Sequence, residues 1–164
     1  MKKVLFAVSL GLMICPNGAA QNDMLIGTWR LVSAVRTDLA TDDIKEPYGT
    51  NPHGFLTYGR EGRMQAIIAS DRRPKPSQSN IDQMTDEERH ELLRTMSAYA
   101  GTYTFDGKIV THHVDISWNE VYTGTDQVSD VQLDEGTAIL TTRPTPDPRS
   151  GRRSATTLIW KRVR

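Results

Sequence analysis

The chain has 164 residues, with 20 Lys and Arg against 20 Asp and Glu and one cysteine, Cys15. The balanced charge speaks against the basic face that nucleic-acid-binding domains present, and one cysteine excludes an internal disulfide framework or a multi-cysteine metal site. At this length one domain with a sizeable core is expected.

Residues 1–20 have the pattern of a secretory leader. Lys2 and Lys3 form the positive start, Val4 to Ile14 the apolar core, and Gly18-Ala19-Ala20 the small residues of a cleavage site. Gln21 is then the first mature residue, and a periplasmic or secreted location is expected. The apolar run is shorter than the roughly 20 residues that span a bilayer, and no second one follows, so no membrane span is expected. Leu12-Met13-Ile14-Cys15 approaches a bacterial lipoprotein box. Ile14, however, occupies the place of a small residue, so a cleaved signal that discards Cys15 is preferred over lipid anchoring. Losing Lys2 and Lys3 takes the 20 cations to 18 against 20 anions, a formal charge of −2.

The first strand runs from Met24 to Val35. Arg36 to Asn51 follows as a polar, irregular loop ending in Glu46-Pro47-Tyr48-Gly49-Thr50-Asn51-Pro52. His53 to Tyr58 and Arg63 to Ser70 read as a hairpin around Gly59-Arg60-Glu61-Gly62, with Met64, Ala66 and Ile68 on one face. Asp71 to Asn80 is polar and broken by proline. Thr85-Asp86-Glu87-Glu88 is a capping box that starts a helix, and its acidic first turn suits the helix dipole. Leu92, Leu93, Met96 and Tyr99 fall at helical spacing, as a stripe plugging or flanking the sheet.

Gly101 to Phe105 reads as a strand, closed by an Asp106-Gly107 turn. Lys108 to Ile116 alternates, with Val110, His112, Val114 and Ile116 on one face and Thr111, His113 and Asp115 on the other. Trp118 to Tyr122 is irregular. Thr125 to Leu133, Thr137 to Thr142 and Ser154 to Val163 complete the chain, the last after a Pro-rich loop, Arg143 to Arg152. The expected fold is all-β: eight antiparallel strands in an up-and-down barrel, which leaves no exposed sheet edge, with one inserted α-helix.

The chain resembles the bacterial and fungal lipocalin-like domain family of the calycin group. The match is carried by Leu25-Ile26-Gly27-Thr28-Trp29-Arg30-Leu31-Val32-Ser33 and Asn51-Pro52-His53-Gly54-Phe55-Leu56-Thr57-Tyr58. Gly62-Arg63-Met64, Asp71-Arg72-Arg73-Pro74, Tyr99-Ala100-Gly101-Thr102-Tyr103, His112-His113-Val114, Gly124-Thr125-Asp126-Gln127 and Leu158-Ile159-Trp160-Lys161-Arg162 continue it in order. The resemblance implies a small barrel with an internal cavity, closed at one end by Gly27 and Trp29 with a cation of the last strand, Arg162, across the indole. It carries no agreed activity and no catalytic set. Some such proteins bind hydrophobic molecules, and some relatives cyclise or isomerise substrates without a cofactor.

Few residues invite chemistry. His112 and His113 are adjacent in a strand and point to opposite faces, so they are poorly placed to chelate one ion. His112, on the apolar face, is the pocket candidate. His90-Glu91-Leu92-Leu93-Arg94 falls short of a helical zinc-protease motif because Arg94 stands where the second His belongs. No nucleophile elbow, phosphate loop or dinucleotide fingerprint occurs. Phe55 or Tyr58, with Met64, Tyr103, Trp118 and Tyr122, supply the aromatic and thioether walls of a small-molecule cavity.

The leading expectation is an exported barrel that binds a small hydrophobic or amphipathic molecule, with no cofactor or metal, as a monomer or small homo-oligomer. One alternative is a cofactor-independent isomerase, cyclase or hydrolase in the same cavity. The other is a filled barrel acting as a protein-interaction module.

Overall fold

Eight long antiparallel strands close on themselves because the first pairs with both the third and the last. The computed structural model describes residues 23–146 and 151–164. The expected leader, with Cys15 and the cleavage site, lies outside the described residues. The strands are β1 (Gly27–Asp38), β2 (Ile44–Lys45), β3 (His53–Tyr58), β4 (Arg63–Ala69), β5 (Met96–Phe105), β6 (Ile109–Ser117), β7 (Asp126–Asp134), β8 (Thr137–Thr142), β9 (Thr145–Pro146) and β10 (Arg153–Arg162). β2 and β9 are two-residue additions beside β1 and β10, and the other eight form the barrel. Helix α1 (Asp86–Arg94) and a 3₁₀ turn at Ile81–Gln83 connect β4 to β5.

Period-two alternation builds the core. Gly54, Leu56 and Tyr58 on β3 and Met64, Ala66 and Ile68 on β4 are buried, while Phe55 and Ile67 between them are exposed. Val110, His112 and Val114 on β6, Val131 on β7, Ala138 and Leu140 on β8 and Trp160 on β10 join from the other side. Each large apolar side chain so placed contributes about 1.5–3 kcal/mol relative to exposure.

At one end the barrel is plugged. Trp29 is buried, its Nε1 donates to Leu25 O at 2.9 Å, and the Arg162 guanidinium lies 4.1 Å from its ring centroid. The same guanidinium donates to Ile26 O at 2.6 Å and to Met24 O. Gly27 belongs to this packing: its φ is +129°, and a Cβ there would stand 2.7 Å from Arg162 Nη1.

Three expectations need correction. The helix ends at Arg94, so Met96 and Tyr99 are strand residues of β5, opposite Ala69 and Ala66 of β4. Their helical spacing with Leu92 and Leu93 is coincidental, and α1 buries no residue. The capping box does start the helix as expected, with Thr85 accepting from the Glu88 amide at 3.2 Å and Glu88 Oε2 accepting from the Thr85 amide at 2.9 Å. Ile116 faces outward, because Gly101 pairs with Val114 and Ala100 with Ile116, leaving Asp115 as an unpaired bulge residue that reverses the alternation. Finally, the Arg36–Asn51 loop is shorter than expected: β1 continues to Asp38, and Ile44–Lys45 pairs with it.

Candidate functional site

Three side chains meet inside the barrel. His112 of β6 has Nε2 2.7 Å from the Tyr58 hydroxyl of β3 and Nδ1 2.9 Å from the Tyr99 hydroxyl of β5. Tyr103 packs edge-on against Tyr58 at 4.7 Å between centroids, and its hydroxyl donates to Gly59 O at 3.1 Å. Strand alternation places all four inward; Tyr99 and Tyr103 sit two residues either side of Gly101. Nearer the open end, Tyr48 reaches from the loop before β3, with its phenol beside the Ser97 side chain. Asp71 holds that loop: its carboxylate accepts from the Asn51 amide at 2.8 Å, and its own amide donates to Tyr48 O at 3.1 Å.

Burial governs the electrostatics of this column. It lowers the His112 pKa to about 4, with the nearby His113 adding to the effect, so the imidazole is neutral at physiological pH. Burial also raises the phenols of Tyr48, Tyr58, Tyr99 and Tyr103 above the usual tyrosine range. A neutral imidazole offers one donor and one acceptor. One tyrosine therefore donates to it and the other accepts, and neither nitrogen is left over. On the outer side of β6, His113 pairs with Asp126 at 2.7 Å and Asp115 with Arg63 at 2.5 Å.

A match to the lipocalin-like domain model spans residues 26–163. The chain belongs to the lipocalin-like domain family. No curated protein matches its sequence. Among solved structures, a lipocalin-like protein from Bacteroides uniformis is similar at 13% identity and a TM-score of 0.44, over 85% of this chain and 99% of that one.

The lipocalin-like barrel distributes the seven candidate pocket residues unevenly. His112, Tyr58 and Tyr103 come together inside, and Met64 is buried beside them, paired with Tyr58 and Gly101. Phe55 stands on the outer face, 48% exposed, because it lies between the inward residues Gly54 and Leu56. The inward expectation for Phe55 is therefore corrected, and of the pair "Phe55 or Tyr58" Tyr58 is the lumenal one. Trp118 and Tyr122 lie past the end of β6, stacked at 5.5 Å and 20°, with Trp118 Nε1 donating to Leu93 O at 3.1 Å. They lie away from His112, on the rim and outer wall. Sequence reasoning missed Tyr99 and Tyr48. The first was hidden by the mistaken helix stripe, although the period-two spacing of Tyr99, Gly101 and Tyr103 signals it; the second lies in a polar loop with no pattern.

Other lumenal groups complete the site. Leu158 of β10 faces inward near the open end and, like Tyr99, keeps partial exposure, whereas Trp29, Leu31 and Leu56 at the plugged end are almost fully buried. The buried Trp160 Nε1 and Ser154 Oγ, both on the inward register of β10, have no hydrogen-bond partner among the described residues. Arg36, two places past the inward Ala34 and opposite Thr156, lies close enough for its charge to act on the Tyr48 phenol. None of the described ion pairs includes Arg36.

Proposed function

We propose that this protein is exported and binds a small amphipathic molecule at the open end of its barrel. The observation that carries the reading is the Tyr58–His112–Tyr99 chain: uncharged polar groups fixed inside an otherwise largely apolar barrel, with Tyr99 toward the accessible end. Apolar walls with a few fixed polar groups are how small-molecule sites obtain both affinity and orientation. Arg36 and Tyr48 favour an acidic head group at the mouth, with the apolar portion directed toward Leu158, Ile68 and Val114. Acid–base chemistry by His112 is less favoured, because both ring nitrogens are already engaged.

Titration with cis-parinaric acid, an acidic amphiphile whose emission rises in apolar surroundings, tests this reading. Saturable binding is expected, weakened about tenfold or more by Arg36→Met, in line with the roughly 1.5–3 kcal/mol of a charge-assisted hydrogen bond. Absence of saturable binding, or indifference to Arg36→Met, overturns it. For export, the protein recovered outside the cytoplasm should have an intact mass that begins at Gln21; a mass retaining residues 1–20 overturns that part.

A further inference from the structure

We propose a second small-molecule site on the outside of the barrel, for a neutral, largely apolar, ring-containing molecule with one hydrogen-bonding group. A groove of about 610 Å³ runs along the outer face of β3 to β6. Its floor is low because the outward residues of β5 there are Ala98 and Ala100, which carry nothing beyond Cβ. Phe55 and Ile67, 48% and 46% exposed, form one wall, and Ile116, 64% exposed, forms the other with Trp118. Ile116 reaches this face only because the Asp115 bulge turns it outward. Trp118 is a preset wall, held by its bond to Leu93 O and by Tyr122 stacked on its ring.

The chemistry of the lining narrows the ligand. Thr57 shares a hydrogen bond with Thr28, and Ser117 is engaged by Ala98 O and the Asn119 amide. The Gln65 carboxamide lines the groove and makes no hydrogen bond among the described residues. It offers a donor and an acceptor to one polar group of a ligand. Charge gains nothing here: Arg63 and Asp115 neutralise each other at 2.5 Å toward the plugged end, where Glu61 lies beyond them. The volume falls within the roughly 300–1,000 Å³ of small-molecule sites. A second copy of the chain is the poorer occupant, because a specific dimer needs about 800 Å² of matched surface per partner rather than a concave slot.

The test uses N-phenyl-1-naphthylamine, a neutral aromatic amine, as the probe, with the protein lacking residues 1–20. Saturable binding that quenches tryptophan emission is expected. Ala100→Leu, which fills the floor, should weaken it at least tenfold and Gln65→Ala several-fold, while Tyr58→Phe, whose change lies in the lumen and outside the groove lining, should leave it unaltered. If Ala100→Leu loses its folded circular-dichroism spectrum, the exposed substitution Ile67→Ser takes its place. No saturable binding, or binding indifferent to both groove variants, overturns the proposal. So does a wild-type dimer that the groove variants split into monomers in step with the loss of probe binding, since the groove is then a seam between copies.

Discussion

A neutral imidazole buried between two phenols is a strong constraint on three strands at once. Tyr58, Tyr99 and His112 come from β3, β5 and β6, and both tyrosines lose a hydrogen bond if His112 moves. The lowered His112 pKa has a direct thermodynamic consequence. The unfolded chain protonates this histidine below about pH 6.5, whereas the folded protein resists until about pH 4. Between those values the unfolded state binds more protons, so stability falls as pH falls from 6.5 to 4 and is unchanged by this group above 6.5. The shift corresponds to about 3 kcal/mol in total. Urea unfolding across that window should show the decline in wild type and lose most of it in His112→Gln; equal slopes in the two proteins would contradict a buried neutral His112. The lowered carboxylates, with Glu88 near pKa 2, act in the same direction but at lower pH.

Among elements, the β5–β6 pair does the most to shape both candidate sites. Its bulge leaves Val114 facing the lumen and turns Ile116 out to the groove, and it works because residue 101 is glycine. A Cβ on Gly101 would come within 1.9 Å of His113 O and 3.1 Å of Val114 Cα. Gly101→Ala should therefore destabilise by about 2 kcal/mol or more, at the upper end of ordinary overpacking because the obstacle is backbone. A melting temperature unchanged in that variant would mean the bulge is misplaced. This pair also marks where the sequence stopped being legible. Alternation identified the β3–β4 hairpin and the inward set Val110, His112 and Val114, and the capping box located the start of α1. Local pattern had no means of registering an unpaired Asp115, since a bulge depends on the strand opposite. Nor did it find the end of α1, because Tyr99 fits a helical stripe with Leu92 and Met96 as well as the period-two series with Gly101 and Tyr103, and only pairing with β4 decides between them.

For the molecule as a whole, the two ends of the barrel are made of different materials. One is sealed by Trp29, Leu25 and Arg162, and its lumen is apolar and closely buried. The other carries Arg36, Tyr48, Ser97 and Tyr99 beneath a loop pinned by Asp71, with partly exposed inward side chains. The Gly-x-Trp opening made the sealed end legible in the sequence, because the β1–β10 closure concentrates it in a short motif. The open end was not, because its groups are scattered over β1, β5, β6, β10 and a loop that only the fold assembles. Such polarity fits a container entered from one side. Native mass spectrometry of the protein isolated from its own host tests this most directly. A retained adduct of a few hundred daltons, displaced by cis-parinaric acid and lost in the Arg36→Met protein, is the predicted result; a bare polypeptide mass that cis-parinaric acid leaves unaltered would contradict it.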